Sequence, residues 1–107
     1  FKLPEITTAQ GDLSRTLQLY AAAMEDCTNA IRLTPKDADA YDNRGWAYFH
    51  LGKAETARGH IEKAADLYEK AIEDYTHAIK LNPEHPYAYR NRANAKFRLG
   101  NLLSGNH

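Results

Sequence analysis

The chain has 107 residues, a single Cys and 14 basic against 14 acidic side chains. That is one small domain's worth of sequence, with no global field to draw it onto nucleic acid or an anionic membrane. The lone Cys27 excludes an intrachain disulfide framework and a cysteine-rich zinc site, and no stretch approaches the ~18 consecutive apolar residues of a membrane span.

The opening "FKLPEITTAQ" lacks the basic-then-apolar layout of a signal peptide and has no starting Met, which leads us to expect a fragment or a processed product. A first helix is predicted over about residues 12–33, with Gly11 as the stop of whatever precedes it. "LTPKDA" (Leu33–Ala38) breaks that helix with proline and offers Asp37 as the cap of the next. The second helix is predicted over about 38–58. "KAETAR" (Lys53–Arg58) has good helix propensity and no breaker, so residues 52–60 are read as extended helix in preference to an irregular loop. Gly52 is then a mid-helix glycine, at a cost of roughly 1 kcal/mol, and Gly59 is the stop. In the third helix, about 60–81, Leu67, Ala71, Tyr75 and Ala78 recur at steps of four, four and three beside Ile72, Ile79 and Leu81. That is the wide apolar stripe of a packed helix, not the alternation of a strand. "LNPEHP" (Leu81–Pro86) stops it, and Pro86 suits the first turn of a fourth helix over about 86–103. Short connections make neighbours antiparallel, so the predicted fold class is all-α, a stack of helical hairpins.

Two phrases recur with one period. Between Asp39–Gly52 and Tyr87–Gly100, 8 of 14 positions are identical at an offset of 48. "LQLYAAAMEDCTNAIRLTP" (Leu17–Pro35) matches "ADLYEKAIEDYTHAIKLNP" (Ala65–Pro83) at the same offset, and Gly11 and Gly59 are also 48 apart. A shared period of this kind is how repeat architectures announce themselves.

"YDNRGWAYFHLG", "AIEDYTHAIKLNP" and their counterparts resemble the tetratricopeptide repeats (TPRs). In that family helix A carries a small residue where helix B approaches, and Gly45 and Ala93 occupy that place. Helix B runs small, aromatic, small, proline, matched by Ala71, Tyr75, Ala78 and Pro83, and in the first copy by Ala23, Cys27, Ala30 and Pro35. The physics is independent of the name: small residues on facing stripes permit close contact, and aromatics fill the space between. The resemblance implies a right-handed solenoid of about four helices in the order B-A-B-A. It also implies one domain, 1–107, from a longer array: a partial repeat 1–35, a full extended repeat 38–83 and a partial repeat 86–107. The family period is about 34 residues; the excess here is 48 − 34 = 14, read as two extra turns on each helix.

The chemistry-bearing residues point away from catalysis. His50, His60, His77, His85 and His107 show no mutual pairing at helical spacing and no His-Glu-x-x-His motif, so they are expected to be exposed or capping side chains rather than metal ligands. Cys27 aligns with Tyr75 and is read as a packing residue. There is no Gly-rich phosphate loop or Ser-His-Asp layout, and neither enzyme activity nor a cofactor is expected. Arg44 and Arg92 recur near the core face of helix A, and Asp26 and Asp74 recur in helix B. Each arginine is expected to reach an aspartate of an adjacent helix; the alternative is a ligand carboxylate.

By resemblance, helix A lines a concave groove. Its positions here are Asp39, Asp42, Asn43, Trp46, Phe49 and His50 on one helix, and Tyr87, Arg90, Asn91, Asn94, Phe97 and Arg98 on the other. Asparagine amides suit an extended peptide backbone, since each both donates and accepts, and Trp46 and Tyr87 could grip a side chain. Asn43 and Asn91 fit the asparagines of the family's chaperone-tail clamp, but Asp42 stands where that clamp has a lysine. An acidic C-terminal tail is therefore a poor ligand. The expected function is a non-catalytic protein–protein interaction scaffold that binds a peptide or partner protein, with neither nucleic acid nor membrane involved. The alternative is a structural module whose main role is self-assembly. "FKL" at Phe1–Leu3 aligns with "FHL" at Phe49–Leu51 and "FRL" at Phe97–Leu99, so the chain is expected to open at the end of one helix A and close at the end of another. Head-to-tail association through its terminal helices follows, against which Lys96, in place of an aromatic at Tyr48, reads as a solubilising change.

Overall fold

The computed structural model describes residues 5–106, with side chains from Leu13 onward. Among them are four helices and no strand: α1 (Glu5–Leu33), α2 (Ala38–Ala57), α3 (Ile61–Leu81) and α4 (Ala88–Leu103). The alignment of Phe1–Leu3 with later helix ends lies outside the described residues.

Each boundary has a local cause. Asp37 caps α2 as expected, its carboxylate accepting from the Ala40 N–H at 3.2 Å. α2 then runs unbroken through Lys53–Ala57, so the extra residues lengthen the helix and form no loop at 52–60. It stops where Gly59 takes a φ of 81°, a left-handed conformation that glycine adopts without a Cβ penalty. Glu55 fixes that turn. Its buried carboxylate accepts from Arg58 Nη1 at 2.7 Å and from His60 Nδ1 at 2.8 Å, with Lys63 Nζ at 3.7 Å.

Gly11 does not stop a helix. α1 begins at Glu5 and passes straight through it. One interior glycine costs roughly 1 kcal/mol and breaks nothing unaided. The groups that hold the turn at Gly59 are missing here, because 48 residues before Glu55, Arg58 and His60 stand Thr7, Gln10 and Asp12.

α4 starts at Ala88, two residues later than expected, with Pro86 outside it. Its cap is a side chain: His85 Nδ1 accepts from the N–H groups of Tyr87 and Ala88, both at 3.3 Å, and Nε2 donates to Asp39 Oδ1 at 2.8 Å. His85 is 5% exposed, so it caps as the sequence suggested but is not a surface histidine.

The helices stack in chain order. α1 packs on α2, α2 on α3 and α3 on α4; α2 also touches α4, while α1 reaches neither α3 nor α4 among the described residues. The radius of gyration is 15.2 Å, above the ~13 Å of a compact domain of this length, as an open stack requires.

Residues seven apart set the register. On α2, Gly45 faces Tyr75 and Gly52 faces Tyr68: a Cβ on either glycine would lie 2.8 Å from the ring opposite. Between α3 and α4, Ala64 clusters with Leu102, Ala71 with Ala95, and Ala78 with Ala88. Every step of seven along one helix meets a step of seven back along its antiparallel partner. Seven residues are close to two turns, so lengthening each helix by that amount keeps the same face inward. The rings of Tyr68 and Tyr75 are 2% and 1% exposed, each contributing roughly 2–3 kcal/mol by burial. α1 is held more loosely. Leu13, Leu17, Tyr20, Met24, Cys27 and Ile31 form its stripe, yet none is fully buried.

Candidate functional site

α2 and α4 lie side by side in front of α3. Between them is a depression of about 260 Å³ lined by Asp42, Asn43, Trp46, Tyr87, Arg90 and Asn91. These six all come from the ten groove positions with polar or gripping character read from the sequence. One helical turn separates Asp42 and Asn43 from Trp46, and another separates Tyr87 from Arg90 and Asn91, which puts each set on one face.

The chemistry is mixed. Asp42 is 7% exposed and accepts from Asn91 Nδ2 at 3.2 Å. Burial pushes its carboxyl above the usual range, the Asn91 hydrogen bond and His85 pull it down, and Asp39 pushes it up again. The hydroxyl of Tyr75 behind it is also pushed up, first by burial and then by Asp42 and Asp74. Across the depression, the Arg90 guanidinium sits 5.7 Å from the centre of the Tyr87 ring, a cation–π contact. Trp46 and Tyr87 remain 45% and 53% exposed, so both offer apolar surface to a ligand.

Two adjoining stretches match family models, one described as "Tetratricopeptide repeat" over residues 27–59 and one as "TPR repeat" over residues 59–100. The chain belongs to the tetratricopeptide repeat family. No curated protein and no solved structure matches it. TPRs generally mediate protein–protein interaction and are typically non-catalytic scaffolds.

Not every expected groove residue of this TPR chain reaches the depression. The exposed carboxylate of Asp39 is engaged by His85. His50 lies beyond Trp46, 3.9 Å from it and stacked on Tyr20 of α1 at 5.3 Å. Burial lowers the His50 imidazole below its usual value, and Lys53 and Arg98 lower it further. Asn94 and Arg98 are exposed on α4 outside the depression, and Arg98 borders a separate hollow with Lys53 and Tyr68. Phe49 is not a groove residue: it turns to α3, its ring 5.7 Å from Tyr68. Phe97 repeats Phe49 and is 69% exposed on the corresponding face of α4. Asn91 also departs from the expected amide pair, since one N–H is committed to Asp42, whereas Asn43 makes no side-chain hydrogen bond among the described residues.

Arg44 does reach an aspartate of an adjacent helix. Its Nε and Nη2 donate to the two oxygens of Asp74 at 2.8 Å each, and Nη1 donates to Thr28 on α1 at 3.2 Å. Arg92 repeats only the last contact, donating to Thr76 Oγ1 at 3.1 Å. Cys27 is half-buried and its thiol is pushed up, first by burial, with Arg44 pulling down and Asp26 and Asp74 pushing up. A protonated, partly buried thiol packs and does not attack. No group of metal-ligating side chains comes together among the described residues, and no described helix is long and apolar enough to cross a membrane.

Sequence reasoning missed the Glu55 turn and the buried cap of His85. The first had a signal in the Glu-x-x-Arg spacing of Glu55 and Arg58, ahead of Gly59. The second had only a histidine three residues before the helix start.

Proposed function

We propose that this TPR domain is a non-catalytic adaptor that holds an extended segment of a partner protein across the α2–α4 depression, and that it prefers a segment carrying both a basic and an acidic residue. The observation that carries this reading is the pairing of buried Asp42 with exposed Arg90 in one depression flanked by Trp46 and Tyr87. A ligand ammonium or guanidinium reaching Asp42 relieves a carboxylate that burial disfavours. A ligand carboxylate meets Arg90 at the rim, and the side-chain amide of Asn43 can both donate to and accept from the peptide backbone. Charge complementarity of this kind sets partner choice and on-rate, so the preference weakens with salt.

Trp46 is the sole tryptophan and lines the site, so its fluorescence reports occupancy. Titration with a short peptide containing Lys and Glu should quench or shift that emission at lower concentration than an all-Glu peptide, most clearly at low salt. Arg90→Glu should weaken the mixed peptide, and Asp42→Asn should narrow its advantage. An all-acidic peptide binding more tightly at low salt would overturn the reading.

A further inference from the structure

α4 repeats α2, but the face that α2 turns to α3 is uncovered on α4. Tyr89 and Phe97 are 52% and 69% exposed, where their counterparts Tyr41 and Phe49 are half-buried. A Cβ on Gly100 would meet nothing within 4 Å, where one on Gly52 would strike Tyr68 at 2.8 Å. At the other end of the stack, α1 repeats α3 and leaves open the face that α3 turns to α2. Leu19 is 60% exposed where Leu67 is 9% exposed, and Asp26 is exposed where Asp74 is buried against Arg44. Among the described residues, α4 and α1 thus present the two sides of the α2–α3 interface without a partner helix on either.

We propose that these 107 residues on their own self-associate head to tail, with α4 of one copy docking on α1 of the next in the register of α2 on α3. Three observations select a second copy as the occupant.

The first is charge. Arg44 uses Nη1 for Thr28 and keeps Nε and Nη2 for Asp74. Arg92 already uses the same Nη1 for Thr76, which leaves Nε and Nη2 without a side-chain acceptor among the described residues. In the proposed register its partner is Asp26 of the next copy, the residue 48 before Asp74. The Lys70–Tyr48 cation–ring contact has no counterpart at the junction, where Lys96 and Ala22 stand in the equivalent places, so the charge argument rests on Arg92 and Asp26.

The second is size. Inside the molecule Gly45 is required because the Tyr75 ring lies against it. At the junction the glycine becomes Ala93 and the tyrosine becomes Cys27, so a larger residue on one side meets a smaller one on the other. The second close contact is kept outright, as Gly100 against Tyr20 in place of Gly52 against Tyr68.

The third is continuity. A cleft of about 460 Å³ between α1 and α2, walled by Leu19, Ala23, Asp26, Cys27, Asn43 and Trp46, is the seat that an incoming α4 would fill, as α2 fills the space beside α3 and α4. The contact is heterologous and so leads to open chains or rings, not a two-fold dimer. The contact borders the α2–α4 depression, with which it shares Asn43 and Trp46, and its warrant does not rest on the peptide-binding reading.

Sedimentation velocity of the 107-residue chain from about 5 μM to about 1 mM, a range that captures micromolar and weaker association, should show mass rising steadily past that of a dimer. Arg92→Asp and Asp26→Arg each place like charges at the junction and should weaken association by about tenfold or more, with helical content by circular dichroism unchanged. An equimolar mixture of the two variants restores opposite charges at every junction and should assemble like the parent chain. A strict monomer throughout, association indifferent to both reversals, or a mixture no better than either variant alone would overturn the proposal.

Discussion

Arg44 meets Asp74 edge-on across the α2–α3 interface, two parallel hydrogen bonds of 2.8 Å joining a guanidinium to a carboxylate that is 6% exposed. The Nη1 bond to Thr28 makes this one side chain a tie between α1, α2 and α3. Those hydrogen bonds hold the Arg44 proton more firmly than usual, against the opposing effect of burial. A buried pair gains little over an apolar pair of the same shape, but deleting one member strands the other's charge. Asp74→Ala should therefore cost about 2–4 kcal/mol of stability, read as a lower urea midpoint. Peptide titrations monitored by Trp46 should be unchanged under folding conditions, because Asp74 lies outside the depression. An unchanged midpoint would mean that Arg44 simply swings to water.

Glu55 gives the fold an acid-sensitive turn. Burial acts to raise its carboxyl, but the hydrogen bonds from His60 and Arg58, with the charges of Arg58 and Lys63, outweigh it and leave the group below its ordinary range. A carboxylate whose folded value is depressed contributes stability that is complete above its unfolded value, about pH 4.3 for glutamate. That contribution is lost as pH falls through the folded value. Glu55→Gln should lose about 1–2 kcal/mol at neutral pH, the scale of charge-assisted hydrogen bonds with exposed donors. Urea midpoints of variant and parent should converge as pH is lowered toward 3, a limit set by the ~4.3 reference value. Parallel curves would place the acid sensitivity elsewhere.

The helical repeat was legible in the sequence because its information is local and periodic. Small and aromatic residues at steps of three, four and seven declare faces, and the 48-residue echo declares which faces are equivalent. The two-turn extension was legible for the same reason, since "KAETAR" carries no breaker. The Arg44–Asp74 pair could be inferred because both members repeat together. What stayed hidden depends on three-dimensional neighbours with no period of their own. Nothing in "PEHPYA" says that His85 will be buried and bonded to Asp39, a residue 46 positions away. Nor does spacing along α2 say that Phe49 turns to α3 while Trp46, three residues earlier, stays in the groove. That choice rests on the roughly 60° by which residues three apart differ in direction around a helix of about 3.6 residues per turn. Gly11 misled because a glycine is only half of a stop; the carboxylate that ties the turn at Gly59 sits four residues earlier.

Asp42 is held in the groove at some cost to the fold. Its carboxyl is raised by burial beyond what the Asn91 hydrogen bond and His85 recover, so the folded state binds this proton more tightly than the unfolded chain does. Stability therefore falls as pH rises from the ordinary aspartate value, about 3.9, through the raised folded value, and the deficit is full above it. Asp42→Asn retains an oxygen to accept from Asn91 and removes the buried charge. It should raise the melting temperature at neutral pH by an amount worth up to about 1 kcal/mol, with the gain vanishing in acid. The same substitution should weaken a Lys-containing peptide. A variant that loses stability at neutral pH would show that the ionised carboxylate is a structural anchor.

The two glycines 48 residues apart, Gly52 and Gly100, should answer oppositely to one methyl group. A Cβ on Gly52 would stand 2.8 Å from Tyr68 Cε1 and 2.9 Å from Cδ1, in a ring that is 2% exposed and has nowhere to move. Overpacking of this kind costs about 1–3 kcal/mol, against which a gain in helix propensity of up to ~1 kcal/mol is the smaller term. Gly52→Ala should therefore be net destabilising. At Gly100 nothing lies within 4 Å, so only the propensity acts, and Gly100→Ala should stabilise a monomer by about 0.5–1 kcal/mol. If α4 docks on α1 of a second copy as α2 docks on α3, the added methyl at Gly100 meets Tyr20 of the neighbour. The same variant should then melt at higher temperature in dilute solution and associate more weakly when concentrated. Calorimetry on dilute protein and sedimentation on concentrated protein read the two effects separately. Stabilisation with undiminished association would leave the helix argument standing and place the junction on some other face.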